Sequence, residues 1–239
     1  MSNFMVLLKG EFQRLIKYNI VQVGFGVSVL WVLVLFLIGR DQAADFVPLF
    51  IFMDASLMTI LLIGAGLFYE RQENTLKSLM ITPSKLGYII ASKLVSAVYI
   101  ALQSALFIGL LAYFFFDAAV NFAYLLPFTL LIALSHAMIG YAIAVLVEDF
   151  PALLATLMLY MIVFAFPSIF YALDLFDGIW EVVLIASPTH ASFLLIDFSF
   201  GYDISTTLLV VSVAYLFLLA FSLARFVVFP KYIEKAVRE

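Results

Sequence analysis

The chain is divided into long stretches that carry no formal charge. Residues 18–39, 94–116, 118–147, 150–173 and 204–224 contain no Asp, Glu, Lys or Arg, and 46–69 contains only Asp54. An α-helix rises about 1.5 Å per residue, so about 20 apolar residues cross a hydrocarbon core about 30 Å thick. The runs therefore predict an all-α integral membrane protein with six transmembrane helices. Composition agrees: 66% of the residues are hydrophobic and 12% charged, against about 25% charged in soluble domains.

Two apolar runs need separate treatment. Residues 118–147 are too many for one straight span, and Asn121 and Pro127 place the first of them in the outer interface. The helix proper is expected to start near Phe122–Pro127, with Pro in its first turn. Val182–Ile196 is too short to cross and is interrupted by Pro188, which predicts a short interfacial or re-entrant element. The cations then set the orientation. With the N-terminus inside, Lys9, Arg14, Lys17, Arg71, Lys77, Lys85, Lys93, Arg225, Lys231, Lys235 and Arg238 fall at or near the cytoplasmic face. Only Arg40 falls outside, and a seventh span would put the C-terminal cations on the wrong side of the positive-inside rule. The outer segments carry Asp41, Asp45, Asp117, Asp174, Asp177, Glu181, Asp197 and Asp203, which account for the acidic balance without implying nucleic acid.

At the N-terminus, the first apolar run is long and is followed by Arg40 rather than a small-residue cleavage site, so it reads as a span and not a signal peptide. Ahead of it, Phe4, Leu8, Phe12, Leu15 and Ile16 recur at helical spacing, with Lys9, Gln13, Arg14 and Lys17 on the other side. That pattern predicts an amphipathic helix over 1–19 lying in the cytoplasmic interface.

Motifs for covalent chemistry are missing. No G-x-x-x-x-G-K-[ST], H-E-x-x-H or G-x-S-x-G is present, and the chain has no Cys and two His. Ser135 and His136 are adjacent, so on a helix they point about 100° apart and cannot form a dyad. We expect no catalytic residue, no metal site and no cofactor bound by this chain. Asp54, within the second span, reads in two ways. It is a polar contact on a substrate path or a proton site shared with His136; or it is a structural carboxylate bonded to Ser56, Thr59 or a neighbouring helix, or reaching to the outer interface. Gly64, Gly66, Gly109 and Gly140 permit close helix approach.

One charged segment interrupts the apolar runs: YERQENTLKSLMITPSK, Tyr69–Lys85. Glu70 and Glu73 are expected in the first turns of a short helix. Leu76, Leu79 and Met80 would then form an apolar stripe, and Thr82-Pro83 would end the helix. Ser84 is the expected cap of the third span, whose Lys85 and Lys93 would anchor at the interface. Such a helix either lies on the membrane or docks its stripe into a groove on a soluble partner.

The pattern Glu70-x4-Thr75-Leu76-x2-Leu79-x2-Thr82-Pro83, followed by Lys93, resembles the coupling segment between spans two and three of ABC-2-type permeases. Ser187-Pro188-Thr189-His190 followed by Phe193-Leu194-Leu195, together with Tyr18, is similar to permeases of a fluoroquinolone-export subgroup. The resemblance implies a single transmembrane domain over 1–239. Its parts would be an elbow helix (1–19), spans one and two (20–69) and a coupling helix (70–84). Spans three to five (85–173), an outer re-entrant segment (174–203), span six (204–228) and a cytoplasmic tail (229–239) would follow.

The implied function is that of a permease in an ATP-driven exporter of the prokaryotic inner membrane. ATP would be bound by a separate ABC-type ATPase subunit, and a second permease subunit, identical or paralogous, would complete the pathway among membrane lipids. Glu70, Glu73, Thr75, Leu76, Leu79, Met80, Thr82 and Pro83 would contact the ATPase. Asp54, His136, Phe164 and Phe166 are candidates for the substrate path, and Phe164-Ala165-Phe166-Pro167 is expected to kink span five. A multidrug or lipid-like cargo fits this reading. Two alternatives stay open: a proton-coupled secondary transporter using Asp54 and His136, and a non-transporting membrane scaffold.

Overall fold

The computed structural model describes residues 3–73, 85–173, 175–176, 179–231 and 234. Every regular element among them is helical. Helix α1 (Asn3–Lys17) precedes span one, α2 (Ile20–Ile38). Span two is α3 (Arg40–Gln72), span three α4 (Leu86–Phe115), span four α5 (Phe122–Leu146) and span five α6 (Phe150–Ala172). Two short helices follow, α7 (Ile179–Leu184) and α8 (Pro188–Ser199), then span six, α9 (Thr206–Lys231). Six helices among the described residues are long and apolar enough to cross a membrane, as the uncharged runs predict.

Several boundaries differ from the sequence expectation. Arg40, Asp41 and Asp45 lie within α3 and not in a loop, because a single residue, Gly39, joins spans one and two. Its φ of 95° is a conformation that a Cβ would strain. Span four starts at Phe122 under an Asn121 cap, whose side chain accepts from the Ala123 N–H (3.1 Å). Pro127 sits in its second turn rather than its first. Span three starts at Leu86 after Lys85; Ser84 lies outside the described residues.

Span four is the hub. It packs on spans two, three and six and on α8, and its small residues make this possible. A Cβ on Gly140 would stand 2.9 Å from the Ile60 carbonyl oxygen and 3.0 Å from its Cα, so spans two and four touch backbone to backbone. Gly64 gives the same room to Leu153 of span five, and Gly109 to Leu125 and Phe122. Among the described residues Gly66 would meet nothing within 4 Å, so it packs on none of them. Spans two and four are the most buried, whereas spans one, five and six leave broad apolar faces uncovered.

Among the described residues three turns of π-helix interrupt the spans, at Asp54–Met58, Met161–Ala165 and Ala224–Val228. The second lies just before Pro167, so the break expected from Pro alone combines both causes. One carbonyl of this turn is bonded from both span five and the start of α8. The Phe164 carbonyl accepts from the hydroxyls of Ser168 (2.8 Å), Thr189 (2.6 Å) and Ser187 (3.3 Å). Ser187 also caps α8, so the Ser-Pro-Thr sequence both starts this helix and fastens it to the break in span five. Helix α8 is short and almost wholly buried by its neighbours.

The Gly140 contact yields a test. Gly140→Ala should destabilise the protein by about 1–3 kcal/mol through overpacking, read as a lower thermal midpoint in detergent. Gly66→Ala, facing open space, should leave the midpoint unchanged or raise it slightly.

Candidate functional site

Glu70 does not begin a new helix. It occupies the last turn of α3, which runs on to Gln72. A carboxylate there faces the negative end of the helix dipole, so cations must stabilise it. Two do. Arg14 Nη1 lies 2.5 Å from Glu70 Oε1, and Lys93 of span three pairs with the same oxygen. Lys93 Nζ also reaches Glu11 Oε1 at 2.7 Å, and Glu11 pairs with Arg14 one turn away on α1. The four side chains close a ring of alternating sign. Three of them are buried: Glu11 is 6%, Glu70 2% and Lys93 4% exposed.

This ring binds α1 to the ends of spans two and three at the place where residues 74–84 depart. Lys93 is therefore not the interfacial anchor expected from sequence, and the inward face of α1 carries Glu11 and Arg14 rather than apolar residues alone. Ile16, expected on the apolar face, is exposed. Phe12 and Phe4 do pack inward, edge-on to Tyr99 and Tyr88 of span three.

A second set of contacts extends the ring toward the same segment. Lys17 Nζ pairs with Glu73 Oε1 at 2.8 Å, and Tyr18 stacks on Tyr69 with centroids 4.7 Å apart. The Lys17 ammonium, with Tyr18 next, holds the Glu73 carboxyl below the usual range. Burial and then the Glu73 carboxylate push the Tyr18 phenol up to about 12. Arg71 donates to the Val147 carbonyl (3.4 Å) at the end of span four. Of the expected coupling residues, Glu70 and Glu73 thus join one cluster; Thr75, Leu76, Leu79, Met80, Thr82 and Pro83 lie outside the described residues.

The four substrate-path candidates are dispersed. Asp54 opens the π-turn of span two and is buried. Its Oδ2 accepts from Ser28 of span one (2.9 Å) and from Ser104 of span three. Ser56 and Thr59 donate instead to the carbonyls of Phe52 and Ala55. His136 is fully buried, its Nδ1 3.0 Å from the Ile132 carbonyl and 3.2 Å from the Ser135 hydroxyl, so the adjacent pair expected to point apart is in contact, and its Nε2 meets no partner among the described residues. No hydrogen bond joins Asp54 to His136 among the described residues. Phe164 packs on Tyr160 (5.2 Å), and Phe166 is exposed beside Phe170. Ser28, Ser104 and Glu11 escaped the sequence reading, and Arg14 entered it only as a polar-face cation; Glu11 and Arg14, three apart on one helix, left a signal that could have paired them.

The ring makes a specific stability prediction. Lys93→Met leaves the buried Glu70 and Glu11 short of one cation and should cost about 3–5 kcal/mol. The double substitution Glu70→Leu with Lys93→Met removes one charge of each sign and should recover most of that loss. Thermal unfolding of both variants in detergent checks it; equal loss in the two would show the charges are uncoupled.

The arrangement offers no metal-ligating group of three or more His, Cys, Asp or Glu among the described residues. What it can do is mechanical: it joins three helices to the root of one connecting segment. No curated protein and no solved structure matches the chain. A family model does, that of the ABC-2 type transporter, over residues 2–196. That match takes in α1, the first five spans and most of α8, and with them every residue of the ring. The chain belongs to the ABC-2 type transporter family, as a multi-pass membrane permease component.

Proposed function

We propose that this permease is driven by a separate ABC-type ATPase subunit that docks on residues 70–83, and that the assembly is an exporter. The observation that carries the reading is the ring of Glu11, Arg14, Glu70 and Lys93. A force applied to the segment after Glu73 would be delivered at once to α1, span two and span three. Without such a clamp the segment would bend alone and the spans would stay put. Nucleotide would act on the partner, and its state-dependent affinity would shift the permease between two conformations.

The uncovered apolar faces would accommodate a second permease subunit, identical or paralogous, as well as lipid. Span five shows Met158, Leu159, Ile162, Val163, Phe166 and Phe170 along one side. Span two, in contrast, is largely covered within one subunit, so a partner would meet span five first and lipid would cover the remainder. The pathway would run beside span five, with Phe164 and Phe166 nearest to it. The cargo would be a hydrophobic drug-like or lipid-like molecule. The placement is a prokaryotic inner membrane with both termini cytoplasmic.

The test is a tagged purification from native membranes in mild detergent, comparing the wild type with Leu79→Asp. A charge in the apolar stripe should reduce ATPase recovery to background while the permease stays inserted and folded. Recovery of no ATPase with an intact wild type would sink the coupling reading.

A further inference from the structure

At the end of the bundle away from the ring, a cleft of about 700 Å³ opens between spans three and four and the loop leading into span six. It falls within the range of about 300–1,000 Å³ typical of small-ligand sites. Its walls are aromatic: Tyr113, Phe122, Tyr124, Phe198 and Tyr202, with Asp203 among them. Aromatic residues at span ends ordinarily face the lipid interface one by one. Here five rings from three separate segments turn onto one space.

The loops are built to hold that shape. The Asn121 N–H donates to the Ser199 carbonyl at 2.8 Å, tying the start of span four to the end of α8. Gly201 has a φ of 87°, a left-handed turn that sends Tyr202 and Asp203 back toward the cleft. Tyr202 is oriented by its hydroxyl, which donates to Asp45 at 3.3 Å. Tyr124 is braced edge-on by Phe198 at 5.1 Å.

The charge is one-sided. A smaller cavity of about 230 Å³ adjoins along Ala119, Gly201 and Tyr202, and Asp45 and Asp117 line it. The cation at this end among the described residues is Arg40, which Asp117 engages at 2.6 Å. Among the described residues no ion pair joins Asp45 or Asp203 to a cation, and Arg40 is held by Asp117. Ring faces carry negative electrostatic potential and attract organic cations within about 6 Å of the centroid. Aromatic walls with a carboxylate at the rim, and the local cation already engaged, favour a positively charged, weakly hydrated guest over an anion.

From this juxtaposition we infer that the cleft formed by Tyr113, Tyr124, Phe198, Tyr202 and Asp203 is a binding site for a monovalent organic cation with apolar bulk. The site needs neither nucleotide nor a partner subunit, and it stands whether or not the coupling reading does. Its occupant is a free amphiphilic cation or the quaternary ammonium of a lipid headgroup, which share this chemistry.

The test is equilibrium dialysis of radiolabelled tetraphenylphosphonium against the purified permease in dodecyl maltoside, with protein-free micelles subtracted. Saturable binding is expected, with neutral triphenylmethanol competing poorly. Tyr124→Leu and Tyr202→Leu should each weaken binding about two- to tenfold. Asp203→Asn should weaken it and Asp203→Glu should restore it, while Tyr88→Leu at the opposite end should have no effect. These side chains are exposed, and an unchanged thermal midpoint confirms each variant is folded. Competition by free phosphocholine would support the site and trace its occupant to a headgroup; its absence would support a free cation. Equal competition by triphenylmethanol, or insensitivity to all three cleft positions, overturns the proposal. So does a shift in oligomeric state in the variants without a change in cation binding, since the cleft would then be a protein interface.

Discussion

A carboxylate at the C-terminal end of a membrane helix opposes the helix dipole and loses its water. Glu70 bears both penalties. Lys93 and Arg14 offset them, and Glu11 balances the second cation, leaving no net charge among the four. The geometry needed to close that ring fixes where α1 lies, which faces of spans two and three meet, and where the chain leaves the bundle after Gln72. Hydrophobic packing cannot do this alone. In lipid an apolar face finds equivalent surroundings against a neighbour or a fatty chain, so directional contacts carry the specificity.

The same logic recurs at the breaks. At two of the three π-turns among the described residues, those of spans two and five, hydroxyls converge on one polar group, most of them from other segments. Ser28 and Ser104 converge on Asp54 at the π-turn of span two. Ser168, Ser187 and Thr189 converge on the Phe164 carbonyl at the π-turn of span five. Each cluster joins elements that are distant in sequence, and each leaves few polar atoms to be satisfied by water. Between these polar rivets, Gly140 and Gly64 bring spans two, four and five into close contact.

Much of the fold was legible because lipid imposes a one-dimensional rule. Charge-free runs of sufficient length are spans, and their number follows from counting them. The connecting segment announced itself as a charged interruption. What was not legible depends on residues meeting across the sequence. Lys93, near the start of span three, has the pattern of an interfacial anchor; it becomes a ring member only because α1 folds beside it. Arg40, Asp41 and Asp45 look like a loop, and only the left-handed Gly39 shows that the helix resumes at once. Gly66 and Gly140 are indistinguishable as letters, yet one faces open space and the other a carbonyl oxygen. Asp54 illustrates the limit most clearly. Its cost in the membrane is visible from sequence, whereas its partners Ser28 and Ser104 are two ordinary serines among many.

The joint at Gly39 has a mechanical corollary. Spans one and two meet there through a single residue, and at their other ends they are held by α1 and the charged ring. They form a pair of tongs with the pivot at one surface and the grip at the other. Span one comprises 19 residues, an arm of about 28 Å at 1.5 Å per residue. A rotation of about 10° at the pivot would sweep the gripped end through about 5 Å, roughly one helical turn. Movement is thereby concentrated where α1, span two and span three are fastened, and nearly absent where Gly39 turns.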